Sequence, residues 1–248
     1  MKSLKNLATI VTFLGLLSAG SAFAAIDHSH IEGPFSDGPA VTEACLECHE
    51  DAATNIMMTS HWTWSAEQNI DGKTINRGKT NAINNFCISI NGNWPRCTSC
   101  HIGYGWKDSS FDFNDTSKVD CLVCHDTTGS YKKNPSGAGI PDESVDLLYV
   151  ARNVGKTSRN TCGTCHFFGG GGDAVKHGDL DSSIDFPSRK VDVHMDAEGN
   201  NFSCTACHET SDHKISGNAM VVSPGHQTPI GCTNCHAGKV HTESLLNQ

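Results

Sequence analysis

Residues 45–49 read Cys-Leu-Glu-Cys-His, and the same arrangement returns five more times: CTSCH at 97–101, CLVCH at 121–125, CGTCH at 162–166, CTACH at 204–208 and CTNCH at 232–236. Two thiols three residues apart, followed at once by an imidazole, form the pattern that attaches c-type haem. The thiols make thioethers with the vinyl groups, and the histidine lies under the iron as proximal ligand. A disulfide framework needs paired cysteines but no histidine behind each pair. A zinc ribbon uses two Cys-x-x-Cys pairs per metal, again without a fixed trailing histidine. Six covalently bound haem c groups are therefore expected. Their anchors are Cys45, Cys48, Cys97, Cys100, Cys121, Cys124, Cys162, Cys165, Cys204, Cys207, Cys232 and Cys235, with His49, His101, His125, His166, His208 and His236 proximal.

The rest of the composition agrees with this. The chain has 248 residues, of which 37% are hydrophobic and 7% aromatic, too little apolar material for a conventional core, so the macrocycles are expected to occupy the interior. The fold class this implies is mainly α with extensive coil: short helices carrying the motifs, long loops between them and little sheet. The motifs are unevenly spaced, so the chain is not a tandem array of one small module. A net charge of −9 argues against a nucleic-acid partner. Lys2 and Lys5 precede the apolar stretch Leu7 to Leu17, and Ala22-Phe23-Ala24 supplies a small-x-small cleavage site. Residues 1–24 read as a cleaved signal peptide and 25–248 as a hexahaem cytochrome c domain, exported to the periplasm or beyond. A retained membrane anchor is the competing reading, disfavoured by the short apolar stretch and the lack of stop-transfer charges.

Fourteen histidines less the six proximal ones leave His28, His30, His61, His177, His194, His213, His226 and His241 as candidate distal ligands. This supply suffices for six bis-histidine haems and equally for five plus a special one. His28 and His30 are too close together for both to be expected as ligands. Cys87, in Asn84-Asn85-Phe86-Cys87-Ile88, is the one cysteine outside the motifs, either a small buried hydrophobe or a functional thiol. In FFGGGGDAVKHG (Phe167 to Gly178), four glycines let backbone approach a bulky group closely. Lys176 or His177 could then reach an iron, the lysine only as its neutral amine. A solvated lysine on a loop is the alternative.

Several stretches run well beyond the haem motifs: GPFSDGPAVTEACLECH (33–49), HWTW (61–64), NNFCISINGNWPRCTSCHIGYGWKD (84–108), VDCLVCHDTTGSYKK (119–133), CGTCHFFGGGGDAVKHGDLDSS (162–183) and VDVHMDAEGNNFSCTACH (191–208). In these the chain resembles the octahaem tetrathionate reductase family, related to hydroxylamine oxidoreductases and pentahaem nitrite reductases. The resemblance implies an exported oxidoreductase acting on tetrathionate, with nitrite and hydroxylamine as further substrates. Electrons would come from a donor cytochrome or a quinol-oxidising membrane cytochrome. It makes the second haem, at Cys97, Cys100 and His101, the active one, with Lys176 on its distal side and Asn84 and Cys87 close by. Lys132 and Lys133 are fallback ligands. Tetrathionate is a dianion and needs a local cationic funnel on an acidic protein; Lys132, Lys133, Arg152, Lys156 and Arg159 either form it or are a merely solvated face. The family carries eight haems where this chain has six motifs, and the similarity fades past the fifth. The route of electron entry and self-association stay open. The rival reading is a non-catalytic electron conduit with every haem bis-histidine.

Overall fold

The computed structural model describes residues 27–81, 83, 88–167, 172–173, 180–217 and 231–237. The expected signal peptide lies outside these, as do Asn84, Cys87, Lys176, His177, His226 and His241. The helices are short, as expected of motif-bearing segments joined by long loops. α1 (Gly38–Leu46) begins where Asp37, in extended conformation, accepts from Ala40 N at 3.0 Å, and it ends by delivering Cys45. α2 (Ala52–Met57) and α3 (Ser60–Thr63) follow, and α4 (Trp94–Cys97) leads into a 3₁₀ turn over Thr98–Cys100. α5 (Leu122–His125), α6 (Leu147–Arg152) and α7 (Arg159–His166) complete the α-helices among the described residues. α7 starts in a capping box, with Ser158 and Thr161 each satisfying the other's backbone N–H.

Among the described residues, sheet is confined to two hairpins. β1 (Ala66–Ile70) pairs antiparallel with β2 (Lys73–Arg77), and β3 (Thr210–Ser211) with β4 (Lys214–Ile215). The first turns at Asp71-Gly72, with glycine at the second central position; the second turns at Asp212-His213, with φ 47° and 64° and no glycine to take the second position. The architecture is thus helix and coil with two small sheets, as the sequence led one to expect.

Side chains nevertheless build a core in the N-terminal part. Val41 of α1, Ala53 of α2, Trp62 of α3, Leu122 and Val123 of α5, and Val150 and Ala151 of α6 are buried together with Ile102, Val119 and Tyr131. Each fully buried aliphatic side chain contributes roughly 1.5–3 kcal/mol. Thr42 locks α1 to this core by donating its hydroxyl to the Val119 carbonyl at 2.6 Å. A second cluster joins Trp64, Ile90 and Trp106. Past Phe167 the picture changes: Phe186 is 81% exposed, and Leu180, Val191, Val193, Phe202 and Ile215 are all exposed. Between the fourth motif and the residues just past the fifth, these apolar side chains are exposed among the described residues, surface that a haem could cover. No described helix is long and apolar enough to cross a membrane.

Candidate functional site

The motif spacing acquires its meaning on a helical turn. In a Cys-x-x-Cys-His turn the two thiols at i and i+3 and the imidazole at i+4 share one face. The His49, His125, His208 and His236 amides each donate to the carbonyl of their motif's first cysteine, at 3.0, 3.2, 2.8 and 2.9 Å, and the fourth motif lies within α7. The Nδ1 atoms of His125 and His208 are held by the carbonyls of Gly155 (2.8 Å) and Ser216 (2.9 Å). That bond places the proton on Nδ1 and leaves Nε2 free to coordinate, the arrangement that supports a metal-bound histidine.

Four motif histidines face a second imidazole. Ring centroids are 6.3 Å apart for His28 and His49, 6.3 Å for His61 and His166, 6.4 Å for His125 and His213, and 5.9 Å for His194 and His236. An iron between two imidazoles, with metal–nitrogen bonds of about 2 Å and about 1.2 Å more to each ring centre, sets the centroids about 6.4 Å apart. Among the described residues no group of three or more His, Cys, Asp or Glu side chains converges as a metal site. Two axial ligands are all that a porphyrin-held iron needs from protein. The residues therefore fit haem at these motifs. His30 also stands 6.4 Å from His28, and its Nδ1 bonds to the Asp27 carbonyl at 2.9 Å. Burial, reinforced by His166 and Lys79, pushes the His61 pKa down to about 4. Burial and His125 lower that of His213. Both are thus held as the neutral imidazole that can coordinate.

The second motif is built differently. The His101 amide donates to Thr98, in a 3₁₀ turn, and the residue leaves that turn in an extended conformation (ψ 142°). Its ring is fully buried among Trp62, Trp64, Trp106, Phe111 and Phe113, with centroids 4.8–6.1 Å away and no imidazole beside it among the described residues. Trp94 packs on Trp106, so all four tryptophans of the chain gather here. Nε2 lies 2.7 Å from the Trp62 carbonyl, and the buried Nδ1 has no partner. Ligation through Nε2 at this motif thus requires the Trp62 bond to give way. Burial pushes the His101 pKa down to about 3, with Lys133 acting in the same direction against the Trp62 bond.

Beside it lies a polar cluster that the sequence reading missed. Asp120, fully buried, accepts from Tyr104 and Tyr131 hydroxyls at 2.9 and 2.8 Å and from Val123 N at 3.1 Å, and pairs with Lys133 Nζ at 2.9 Å. The carboxylate's four acceptor sites are thus filled. Lys133, 5% exposed, also donates to the His101 carbonyl. Burial pushes both tyrosines well above the ordinary phenol value, so they stay neutral donors. This corrects two readings of the basic cluster. Lys133 is neither a spare ligand nor part of a funnel, being buried against Asp120, and its basic neighbours make separate contacts. Lys132 pairs with Asp142 (3.6 Å), Arg152 bonds the Ile31 carbonyl (2.9 Å), and Arg159 bonds the Met195 carbonyl (2.6 Å) and Asn201. Lys156 lines a cleft of about 390 Å³ with Asp126, Ser158 and Thr161, between the third and fourth motifs. The sequence signal for the cluster was Asp directly ahead of CLVCH and Tyr-x-Lys six to eight residues behind it.

Motif neighbours are not sequential. The sulfurs of Cys45 and Cys121, Cys100 and Cys165, and Cys162 and Cys204 lie beside each other across motifs, and the Cys165 sulfur stands 3.7 Å from the Cys100 carbonyl. The fourth motif thus touches the second and the fifth, and the first touches the third.

A family model described as cytochrome c554 and c-prime matches residues 44–126. An octaheme cytochrome c from Shewanella oneidensis, known from a crystal structure, is 56% identical with a TM-score of 0.81. The match covers 90% of this chain and 50% of that one, so this chain spans about half the length of that relative. An uncharacterised protein of Archaeoglobus fulgidus is 24% identical across 80% of this chain and 83% of its own length. With the motifs, these matches make the chain a multihaem c-type cytochrome, a redox protein that binds haem c covalently.

Proposed function

We propose that the protein is an exported multihaem reductase of tetrathionate, with nitrite and hydroxylamine as further substrates, in which bis-histidine sites serve one reactive site at the second motif. The observation that carries this is the aromatic enclosure of His101: four motif histidines have an imidazole partner at 5.9–6.4 Å, His208 has neither such a partner nor an aromatic cage among the described residues, and His101 is ringed by tryptophan and phenylalanine. The distal ligands are then His28 for His49, His213 for His125, His61 for His166 and His194 for His236. All six motifs carry haem, whose iron supplies one-electron Fe(III)/Fe(II) chemistry; tetrathionate takes up two electrons to leave as two thiosulfates. Lys176 occupies the distal side of the second site as labile ligand and proton donor, Asn84 gives a hydrogen bond, and Cys87 offers a sulfur nucleophile. Residues 1–24 direct export, and a donor cytochrome or a quinol-oxidising membrane cytochrome supplies electrons.

The four imidazole pairs equally suit an electron conduit, which separates from the reductase at one point. Electron paramagnetic resonance of the oxidised holoprotein, before and after adding nitrite or hydroxylamine, is expected to show one haem that lacks a distal histidine and responds to ligand. Six low-spin bis-histidine signals unchanged by ligand would refute the reductase. Lys176→Ala is expected to alter that one signal and abolish tetrathionate reduction by a dye donor.

A further inference from the structure

We propose that the buried Lys133–Asp120 pair is an oriented charge couple that sets which of two neighbouring haem sites, the second or the third, holds an electron more tightly. The inference rests on the haem loading of both motifs given above. The ammonium lies against the second motif, donating to the peptide carbonyl of His101 itself. The carboxylate lies against the third: Asp120 directly precedes Cys121 and accepts from Val123 N in the first turn of α5, the helix that carries Cys124 and His125. With side chains 5% and 0% exposed, the pair is shielded from the water that would screen it.

The geometry gives the couple a direction. Reduction adds one negative charge to a haem, so a fixed cation beside the second site stabilises its reduced form. A fixed anion beside the third site opposes reduction there. At each site the nearer charge outweighs its partner, Lys133 acting on His101 and Asp120 exceeding Lys133 at Cys124, so a single electron shared between the two sites resides on the second. No bond is made or broken. The phenols of Tyr104 and Tyr131 hold the carboxylate in place without adding charge, which makes them a control for the electrostatic role. Lys133 and Asp120 are positioning residues here, since they act on haem through backbone and field.

The test compares holoprotein carrying Lys133→Gln together with Asp120→Asn, which removes both charges and leaves no unpaired ion buried, with Tyr131→Phe, which removes one hydrogen bond and no charge. Redox titrations followed by electron paramagnetic resonance report the two sites separately. The double variant is expected to shift the electron's distribution toward the third site by on the order of tenfold, and Tyr131→Phe to leave it unchanged. An unaltered distribution in the fully loaded double variant overturns the inference, as does an equal shift in Tyr131→Phe. Peptide mass mapping keeps this apart from the loading itself. Haem missing from Cys97–Cys100 or Cys121–Cys124 in the unaltered protein overturns the reading on which the inference rests.

Discussion

Replacing His213 by glycine sets local backbone energy against the proposed ligand role, with opposite signs. His213 occupies the second central position of the β3–β4 turn at φ 64°, following Asp212 at 47°. Such a turn prefers glycine at this place, and a left-handed conformation costs an ordinary residue roughly 1–2 kcal/mol. Were His213 only a turn residue, His213→Gly would stabilise the protein by about 1 kcal/mol, or roughly 2–4 °C in Tm for a domain of this size. The His213 ring, however, stands 6.4 Å from that of His125, the separation one iron requires. Glycine then removes an axial ligand. With six loaded motifs, roughly one-sixth of the low-spin signal is expected to become high-spin, and free imidazole to restore it. Melting is expected to come earlier despite the relieved turn. A variant that melts a few degrees later, with its haem spectra intact, would refute the ligand assignment and leave the strained turn unexplained.

Two further outcomes follow from the packing and from burial. At Gly38 an added Cβ would lie 2.5 Å from the Tyr104 ring, which the 2.9 Å bond to Asp120 keeps from retreating; Gly38→Ala is expected to cost about 1–3 kcal/mol in urea unfolding although alanine is the better helix former, and an unchanged or higher midpoint would contradict it. The His61 pKa is lowered to about 4 in the folded chain, so between there and the ordinary 6.5 the unfolded chain binds more protons, and stability is expected to fall as pH drops through that window. His61→Gln should flatten this slope, and a slope that persists in the variant assigns it to other groups.

The candidate attachment motifs were legible because the thioether chemistry they point to needs its residues contiguous: two thiols and an imidazole on one turn cannot be scattered along the chain. The pairings were not legible, since His213 reaches His125, and His61 reaches His166, only through the tertiary fold. Lys133 shows the limit most plainly. Beside Lys132 and ahead of Arg152 it reads as part of a basic patch. Whether a lysine is solvated or buried depends on Asp120, thirteen positions earlier, and on two tyrosines that hydropathy treats as ordinary core. The convergence of Trp62, Trp64, Trp94 and Trp106 on His101 was likewise hidden by their separation in sequence. The Asp212-His213 turn carries a local cue, two polar residues between two very short strands, but its strain shows only in the dihedral angles.

The close approach of the first motif to the third, and of the fourth to both the second and fifth, bears on how such a chain can be re-engineered. Its motifs look like beads on a string, yet excising any stretch of forty residues from the middle strips neighbours from segments on both sides of the cut. Haem number is therefore not a dial to be turned by splicing internal units. Designs that lengthen or shorten the conductor must work at its periphery, and chimaeras with relatives must exchange interlocked groups of motifs whole.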